Sequence, residues 1–410
     1  MALVVQKYGG TSVGSIERIK NVARRVVATK NLGNEVVVVL SAMSGETDRL
    51  INMANEINPE HSRREHDVLV ASGEQVSISL LAMAIEEQGK KAISFLGSQV
   101  AIKTDSDHSR ARIKDIDGDR IKAALDAEFI VVVAGFQGVD PAGNITTLGR
   151  GGSDTSAVAV AVALEADVCE IYTDVDGVYT TDPNICNKAR KLNKISYDEM
   201  LELASLGAKV LQNRSVEFAE KYGIPIHVRS SFSDVEGTIV CKEDEIMEKV
   251  IVSGVAYNKN EAKVTIWGIP DHPGIAASIF SAIAEEGIVV DMIIQNTSAE
   301  GLTDLTFTVP KLDYDRALKS LHKINQEIGA REINGDQDIA KVSIVGIGMR
   351  AHANVAGRMF AALSRENINI LMISTSEIKI SCVIAEKYTE LAVRVLHHEF
   401  ELAKETTDES

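Results

Sequence analysis

The segment Thr147-Leu148-Gly149-Arg150-Gly151-Gly152-Ser153-Asp154 places three glycines around one arginine, between the apolar runs Phe129–Phe136 and Ala157–Leu164. Without a Cβ in the way, backbone N–H groups can close on an anion. Ser153 and Asp154 are favourable N-cap residues, so a helix is expected to begin there with its positive end turned to the loop. A guanidinium grips a carboxylate through two parallel hydrogen bonds, which suits Arg150 to an amino-acid substrate. The plainer alternative is a tight turn carrying an incidental arginine.

Three further polar stretches follow apolar runs: Lys7-Tyr8-Gly9-Gly10-Thr11-Ser12-Val13-Gly14, Ser41–Thr47 and Thr173–Asn184. Phosphoryl transfer from ATP to a second anion needs cations and N–H donors that cancel repulsion and hold both partners in line. Lys7 with the amides of Gly9 and Gly10, Arg150 with its glycines, and Lys209 are the candidates. A lysine is a point charge that can follow a migrating phosphoryl group, which suits Lys7. Taken singly, Lys7 and Lys209 read equally well as solvated surface lysines. Glu74, beside Gly73, is either a helix-surface acid or a partner for a substrate ammonium. Neither the dinucleotide fingerprint nor a Gly-x-x-x-x-Gly-Lys-Ser/Thr loop occurs, and no Gly-x-Ser-x-Gly is present. The nine histidines show no ligand or triad spacing, so no metal-binding residues are assigned.

The elements that must position these residues alternate. Residues 2–6, Val36–Leu40, Ala92–Phe95, Phe129–Val133, Val168–Thr173 and Ile226–Val228 read as buried strands, with helical periodicity between them. Val68–Glu86 reads as one long helix that includes Glu74. This alternation predicts a mostly parallel sheet covered on both faces. Ligands bind beyond the carboxyl ends of such strands, so loops far apart in sequence are expected to converge on one rim.

Length and composition bound the rest. A chain of 410 residues exceeds one ordinary core, and 45% hydrophobic with 25% charged residues is normal for a globular protein. A net charge of −16 argues against nucleic-acid or anionic-membrane partners. The four cysteines are widely spaced, the N-terminus lacks a basic n-region, and no apolar run is read as spanning a bilayer. A cytoplasmic location is expected.

Near residue 242 the character changes, and Lys242–Lys249 reads as a charged connector. Beyond it Lys263–Ile269 matches Lys341–Ile347, Ile275–Phe280 matches Val355–Phe360, and Gly287–Ile293 matches Asn367–Ile373. The offset grows from 78 to 80 residues, so the second copy carries a two-residue insertion. Each copy reads as strand, helix, two strands and helix, a small α+β module.

The Lys7–Val13, Gly149–Asp154 and Tyr172–Pro183 stretches closely resemble the signatures of aspartate kinases, in the amino-acid kinase superfamily, and the tandem repeat resembles two ACT modules. The resemblance implies an α/β chain: a three-layer αβα kinase domain over residues 1–245, then ferredoxin-like ACT modules at 246–335 and 336–410. Residues 250–258 are candidates to complete the sheet of the second. It also implies phosphorylation of the side-chain carboxylate of L-aspartate by ATP, as the first step toward lysine, threonine, methionine and diaminopimelate. Lys7, Arg150 and Asp154 are then the catalytic residues. Thr47, Glu74, Arg150, Gly151, Gly152 and Ser153 bind aspartate, with Arg150 on its α-carboxylate and Glu74 near its ammonium. Lys7, Tyr8, Gly9, Gly10, Ser41, Thr173, Asp174, Tyr179, Thr180, Asp182 and Lys209 bind ATP, and Mg2+ is held mainly by the ATP phosphates. Lysine, threonine or both are the expected feedback effectors. Their implied sites are Asp271, Gly274, Ile275, Ala276, Gln295 and Asn296, with Asn354, Val355, Thr375 and Ser376 in the second copy. The second copy has Arg350–Val355 where Pro-Gly stands in the first, which puts an effector site wholly within it in doubt. A homo-oligomer is implied, with Met247 as an internal start for a shorter regulatory chain left open. The alternatives are a kinase for glutamate or N-acetylglutamate, or a catalytically silent amino-acid sensor.

Overall fold

The computed structural model describes residues 1–206, 210–243, 251–297, 301–352 and 354–404. Its contacts divide the chain into two units: Met1–Val178 with Lys191–Glu248, and Tyr179–Arg190 with Lys249–Ser410.

In chain order the first unit contains β1 (Leu3–Tyr8), α1 (Ile16–Asn31), β2 (Glu35–Leu40), α2 (Glu46–Ile57), α3 (Arg63–Val70), α4 (Ser72–Glu86) and β3 (Ala92–Phe95). There follow β4 (Ile102–Thr104), β5 (Ile113–Ile116), α5 (Asp119–Asp126), β6 (Ile130–Ala134), β7 (Gln137–Val139), β8 (Ile145–Thr147), α6 (Gly152–Leu164) and β9 (Val168–Thr173). The unit closes with β10 (Lys194–Ser196), α7 (Tyr197–Ser205), α8 (Asn213–Tyr222), β11 (Ile226–Ser230) and β12 (Thr238–Cys241). An eight-stranded sheet runs β10-β12-β11-β9-β1-β2-β6-β3, parallel except where β11 meets β12. A small second sheet, β5-β4-β7-β8, carries the strand that leads into the arginine loop.

The valine runs of β2 and β6 have no alternation because both faces of the sheet are covered. Val36, Val38, Ile130 and Val132 pack against Ile19, Val22 and Val26 of α1 and Ile78, Leu81 and Ile85 of α4. Helix α6, buried along most of its length, lies against β1, β2 and β9 and against α8. The expected single helix over Val68–Glu86 is two, meeting at Ala71, and it starts earlier, at Arg63 behind the N-cap Ser62. The Arg63–Glu86 rod does have the length and apolar content of a membrane span, contrary to the reading of the sequence. Just over half of that window (56%) is buried inside the protein.

The second unit contains β13 (Gly254–Asn258), β14 (Glu261–Pro270), α9 (Ile275–Glu285), β15 (Ile293–Thr297), β16 (Leu302–Pro310), α10 (Tyr314–Ile328) and β17 (Glu332–Asp336). It continues with β18 (Ile339–Val345), α11 (Val355–Arg365), β19 (Ile370–Thr375), β20 (Lys379–Ala385) and α12 (Thr389–Glu399). Two antiparallel sheets, β15-β16-β14-β17 and β13-β18-β20-β19, share one strand order, and each is covered by two helices. Strand β13 precedes the first copy in sequence yet pairs with β18 of the second. A buried ion pair, Lys341 Nζ to Glu261 Oε1 at 2.5 Å, joins the two copies. Met247 lies outside the described residues.

Candidate active site

Lys7 stands near the carboxyl end of β1, flanked by Val39 of β2 and Ile171 of β9. Its ammonium is 2.6 Å from Asp154 Oδ1, and both side chains are only 11% exposed. A Cβ on Gly9 would come to 3.4 Å from Lys7 Nζ, so the lysine folds over the glycine turn. Gly10 allows a still closer approach, since a Cβ there would sit 2.9 Å from the Ala42 carbonyl oxygen. The loop after β1 thereby touches the loop after β2, and Ser41 N donates to Tyr8 O at 3.2 Å. Thr47, half-buried in the first turn of α2, continues that second loop.

Glu74 enters from the first turn of α4 and is 2% exposed. Its Oε1 accepts a hydrogen bond from Ala42 N at 3.0 Å, and its Oε2 is buried without a hydrogen-bond partner. Burial pushes its pKa up to about 7. Gly73 makes this packing possible, because a Cβ there would lie 2.8 Å from Ala42 Cβ.

Helix α6 closes the rim. Its N-cap is Gly151, not Ser153 or Asp154 as the residue types suggested. Gly151 is left-handed at φ +70°, and any side chain there would enter the space of Gln212. Ser153 and Asp154 consequently fall in the first helical turn. A carboxylate there is favoured by the helix dipole, and Asp154 reaches Lys7. Ser153 is packed so tightly against Gly135, after β6, that a Cβ on Gly135 would meet Ser153 Cβ at 2.9 Å. Arg150 projects into solvent from the turn between two left-handed glycines, Gly149 and Gly151.

Lys7 meets Asp154 and Gly9 directly, while Gly10 and Glu74 both meet Ala42, Ser41 meets Tyr8 and Ser153 meets Gly135, at the carboxyl ends of β1, β2 and β6, with Thr47, Arg150, Gly151 and Gly152 on the same loops. Thr173 and Asp174 end β9, the strand beside β1, and Thr173 Oγ1 donates to Asp174 Oδ1 at 3.1 Å.

Other expectations are corrected. The Tyr8 side chain is fully buried and stacks on Tyr172 at 4.5 Å, so only its backbone can face a nucleotide. Burial and the neighbouring Tyr172 raise its hydroxyl pKa well above the usual value. Tyr179, Thr180 and Asp182 belong to the second unit. Thr180 is fully buried, with Oγ1 accepting from Arg190 N at 2.9 Å and lying 3.0 Å from His397 Nε2. Its hydroxyl is thus occupied by the protein. Asp182 accepts from Asn184 N at 2.8 Å and from the Tyr257 hydroxyl at 3.0 Å. Lys209 lies outside the described residues.

In the first copy of the repeat, Gly274 is a left-handed N-cap of α9 at φ +100°, and Asp271 is exposed just ahead of it. Ala276 is half-buried, while Gln295 and Asn296 are exposed on the edge strand β15. Asn354 takes the N-cap position of α11, and Thr375 and Ser376 are exposed at the end of β19. Ile275 and Val355 are core residues, which leaves only their backbone for a ligand.

Two residues that sequence reasoning passed over brace the arginine loop. Arg214 Nη1 donates to Leu148 O at 2.8 Å and its Nη2 to Ala111 O at 3.1 Å. Asp67 is a buried carboxylate bonded to Ser109, Thr147 and His108. Its only signal was local: an acid just ahead of the apolar Val68-Leu69-Val70 run, seven residues before Glu74. Among the described residues no group of three or more His, Cys, Asp or Glu side chains is arranged to hold a metal ion.

An open, mostly parallel sheet with a cation and glycine turns at its carboxyl rim, followed by paired α+β modules, defines a small-molecule kinase with a regulatory half. Residues 2–230 match the amino acid kinase family, and residues 264–324 and 342–400 match the ACT domain. The chain is 59% identical over 403 residues to the aspartate kinase of Stutzerimonas stutzeri, spanning 98% of each chain. Its structure is similar to that of E. coli aspartokinase III in complex with aspartate and ADP, with TM-score 0.79, 26% identity, and coverage of 97% of this chain and 99% of that one. It is also similar to the same E. coli enzyme in complex with lysine and aspartate, with TM-score 0.77, 26% identity and the same coverage. This chain belongs to the aspartate kinases of the amino acid kinase family.

Proposed function

We propose that this chain transfers the γ-phosphoryl group of ATP to the side-chain carboxylate of L-aspartate, giving 4-phospho-L-aspartate and ADP. The observation that carries the residue assignment is the buried, partnerless Oε2 of Glu74 in the loop cluster that holds the Lys7–Asp154 pair. A buried carboxylate oxygen without a donor is costly, and a substrate ammonium supplies the missing donors. Arg150 takes the α-carboxylate, and Thr47, Gly151, Gly152 and Ser153 shape the floor. The β-carboxylate is ionised at neutral pH and needs no general base. One of its oxygens forms a bond to the γ-phosphorus as the bond to the β–γ bridging oxygen breaks, and ADP leaves. Asp154 holds the Lys7 ammonium where charge passes from one oxygen to the other. The amides of Gly9 and Gly10, and Ser41, meet the phosphates, with Mg2+ carried on the nucleotide. Thr173 and Asp174 serve the adenosine.

Glu74 provides the test. With a pKa of about 7 in the empty site, the carboxyl is largely neutral at pH 6 and largely ionised at pH 8. Only the ionised form pairs with an ammonium, so aspartate KM should fall as pH rises through about 7. The residual slope should vanish in Glu74→Gln, whose aspartate KM should be roughly tenfold higher or more at pH 8. A wild-type aspartate KM that is flat between pH 6 and 8 would remove the ammonium role.

We also infer feedback control by lysine, threonine or both, bound at the Asp271–Ala276 turn with Gln295 and Asn296. Support comes from the two ACT modules. Effector binding then acts on activity by differential affinity for two states of the enzyme. Initial rates measured with lysine and threonine, separately and together, should fall with at least one of these additions; an unchanged rate in all three disposes of the inference. A homo-oligomer in the cytoplasm fits this reading, and the four cysteines are all buried and none forms a disulfide, as a reducing compartment allows.

A further inference from the structure

The geometry assigns Asp67 a role in substrate selection: it is the positioning residue that presets the arginine loop for the α-carboxylate of the substrate. This rests on the reading of Arg150 given above. Asp67 has no exposed surface. Its Oδ1 accepts from Thr147 Oγ1 at 2.6 Å and Ser109 Oγ at 3.2 Å. Its Oδ2 accepts from Thr147 N at 3.1 Å and lies 2.8 Å from His108 Nδ1, while Ser109 N is shared between both oxygens at 3.1 and 3.0 Å. A carboxylate only accepts, and the Ser109 and Thr147 groups around it are donors; with His108 donating from Nδ1, every lone-pair direction is used.

These donors belong to two segments of chain beside the arginine turn. Thr147 is three residues before the arginine. Ser109 lies beside Gly149, its carbonyl oxygen so near that a Cβ on the glycine would stand at 3.0 Å. The turn carrying Arg150 is therefore clamped to α3 although its side chain is in solvent. Glu74 follows Asp67 by seven residues, two turns along the Arg63–Glu86 rod, which Gln137 Nε2 braces at Ala71 O with a 3.0 Å hydrogen bond. One helical rod thus places both ends of the amino-acid grip, the ammonium acceptor directly and the guanidinium through Asp67.

The test is steady-state kinetics of the full-length enzyme carrying Asp67→Asn. Asparagine keeps the size but turns one acceptor into a donor facing donors. Aspartate KM should rise about tenfold, and by no more than the roughly thirtyfold expected of Arg150→Ala, because Asp67 acts through that residue. ATP KM, and kcat at saturating aspartate, should stay within about threefold. In an Arg150→Ala background the same change should add less than about twofold, because the two act through one contact. Should Asp67→Asn fail to fold, Thr147→Val removes one hydroxyl donor and should still raise aspartate KM severalfold with ATP KM unchanged. A parallel rise in both KM values, a lowered melting temperature with unchanged KM, or full additivity with Arg150→Ala overturns the proposal. If Arg150→Ala itself leaves aspartate KM unchanged, the reading of Arg150 fails and takes the proposal with it.

Discussion

Lys7→Ala is expected to lower kcat about a hundredfold to a thousandfold while ATP KM changes less than about tenfold. The asymmetry follows from where the ammonium sits. It is not a flexible surface charge attracted by any phosphate; it is fixed at 2.6 Å from Asp154 and is 11% exposed, over the glycine turn that follows β1. A preorganised cation in a site partly screened from water acts most strongly on charge that develops during transfer. Ground-state nucleotide affinity draws on several other groups, including the amides of Gly9 and Gly10. Removing Lys7 also leaves Asp154 buried and unpaired, so the melting temperature should fall as well. Saturation kinetics in both substrates separates these effects. A loss confined to nucleotide affinity, with normal turnover, contradicts the assigned role.

Arg150→Ala is the second large effect, and it should appear in aspartate KM. Loss of a charge-assisted, two-point contact to a carboxylate costs roughly 2–5 kcal/mol. Arg150 is exposed, and solvent screening favours the lower end, about 2 kcal/mol, or roughly thirtyfold in KM. Arg150→Lys should recover only part of this, since an ammonium keeps the charge but not the planar fork. If lysine restored wild-type KM, the contact would be electrostatic only. If alanine left KM unchanged, the α-carboxylate would be held elsewhere.

Much of the scaffold was legible in the residues alone. The unalternating runs Val36–Leu40 and Phe129–Val133 read as strands covered on both faces. The repeat beyond residue 260 announced two similar modules, because matched apolar positions build matched cores. The motifs around Lys7, Gly149 and Asp174 were long enough to mark the family. Glu74 was visible as an acid beside glycine, but its unpartnered oxygen and its raised pKa were not, since both arise from how Ala42 and Gly73 pack around it.

Local residue preference and tertiary placement part company in a few places. Ser153 and Asp154 are better N-caps than glycine by type, yet α6 starts at Gly151 because only a left-handed glycine fits against Gln212. Tyr8 lies inside a glycine-rich motif, yet its ring faces the core because strand alternation turns it away from Lys7. Thr180 lies in a nucleotide signature, and its hydroxyl is taken by His397, 217 residues further along the chain. Asp67 reads as one acid among many until the fold brings Ser109 and Thr147 to it. The amino-acid sequence by itself determined the main parallel strands, the repeated modules and the chemistry on offer, because those depend on periodicity and residue type over short spans. Which side chains meet, which are spent inside the protein and which stay open to a substrate was decided only by the tertiary structure. Hydrogen bonds and close packing between distant segments leave no periodic trace along the chain.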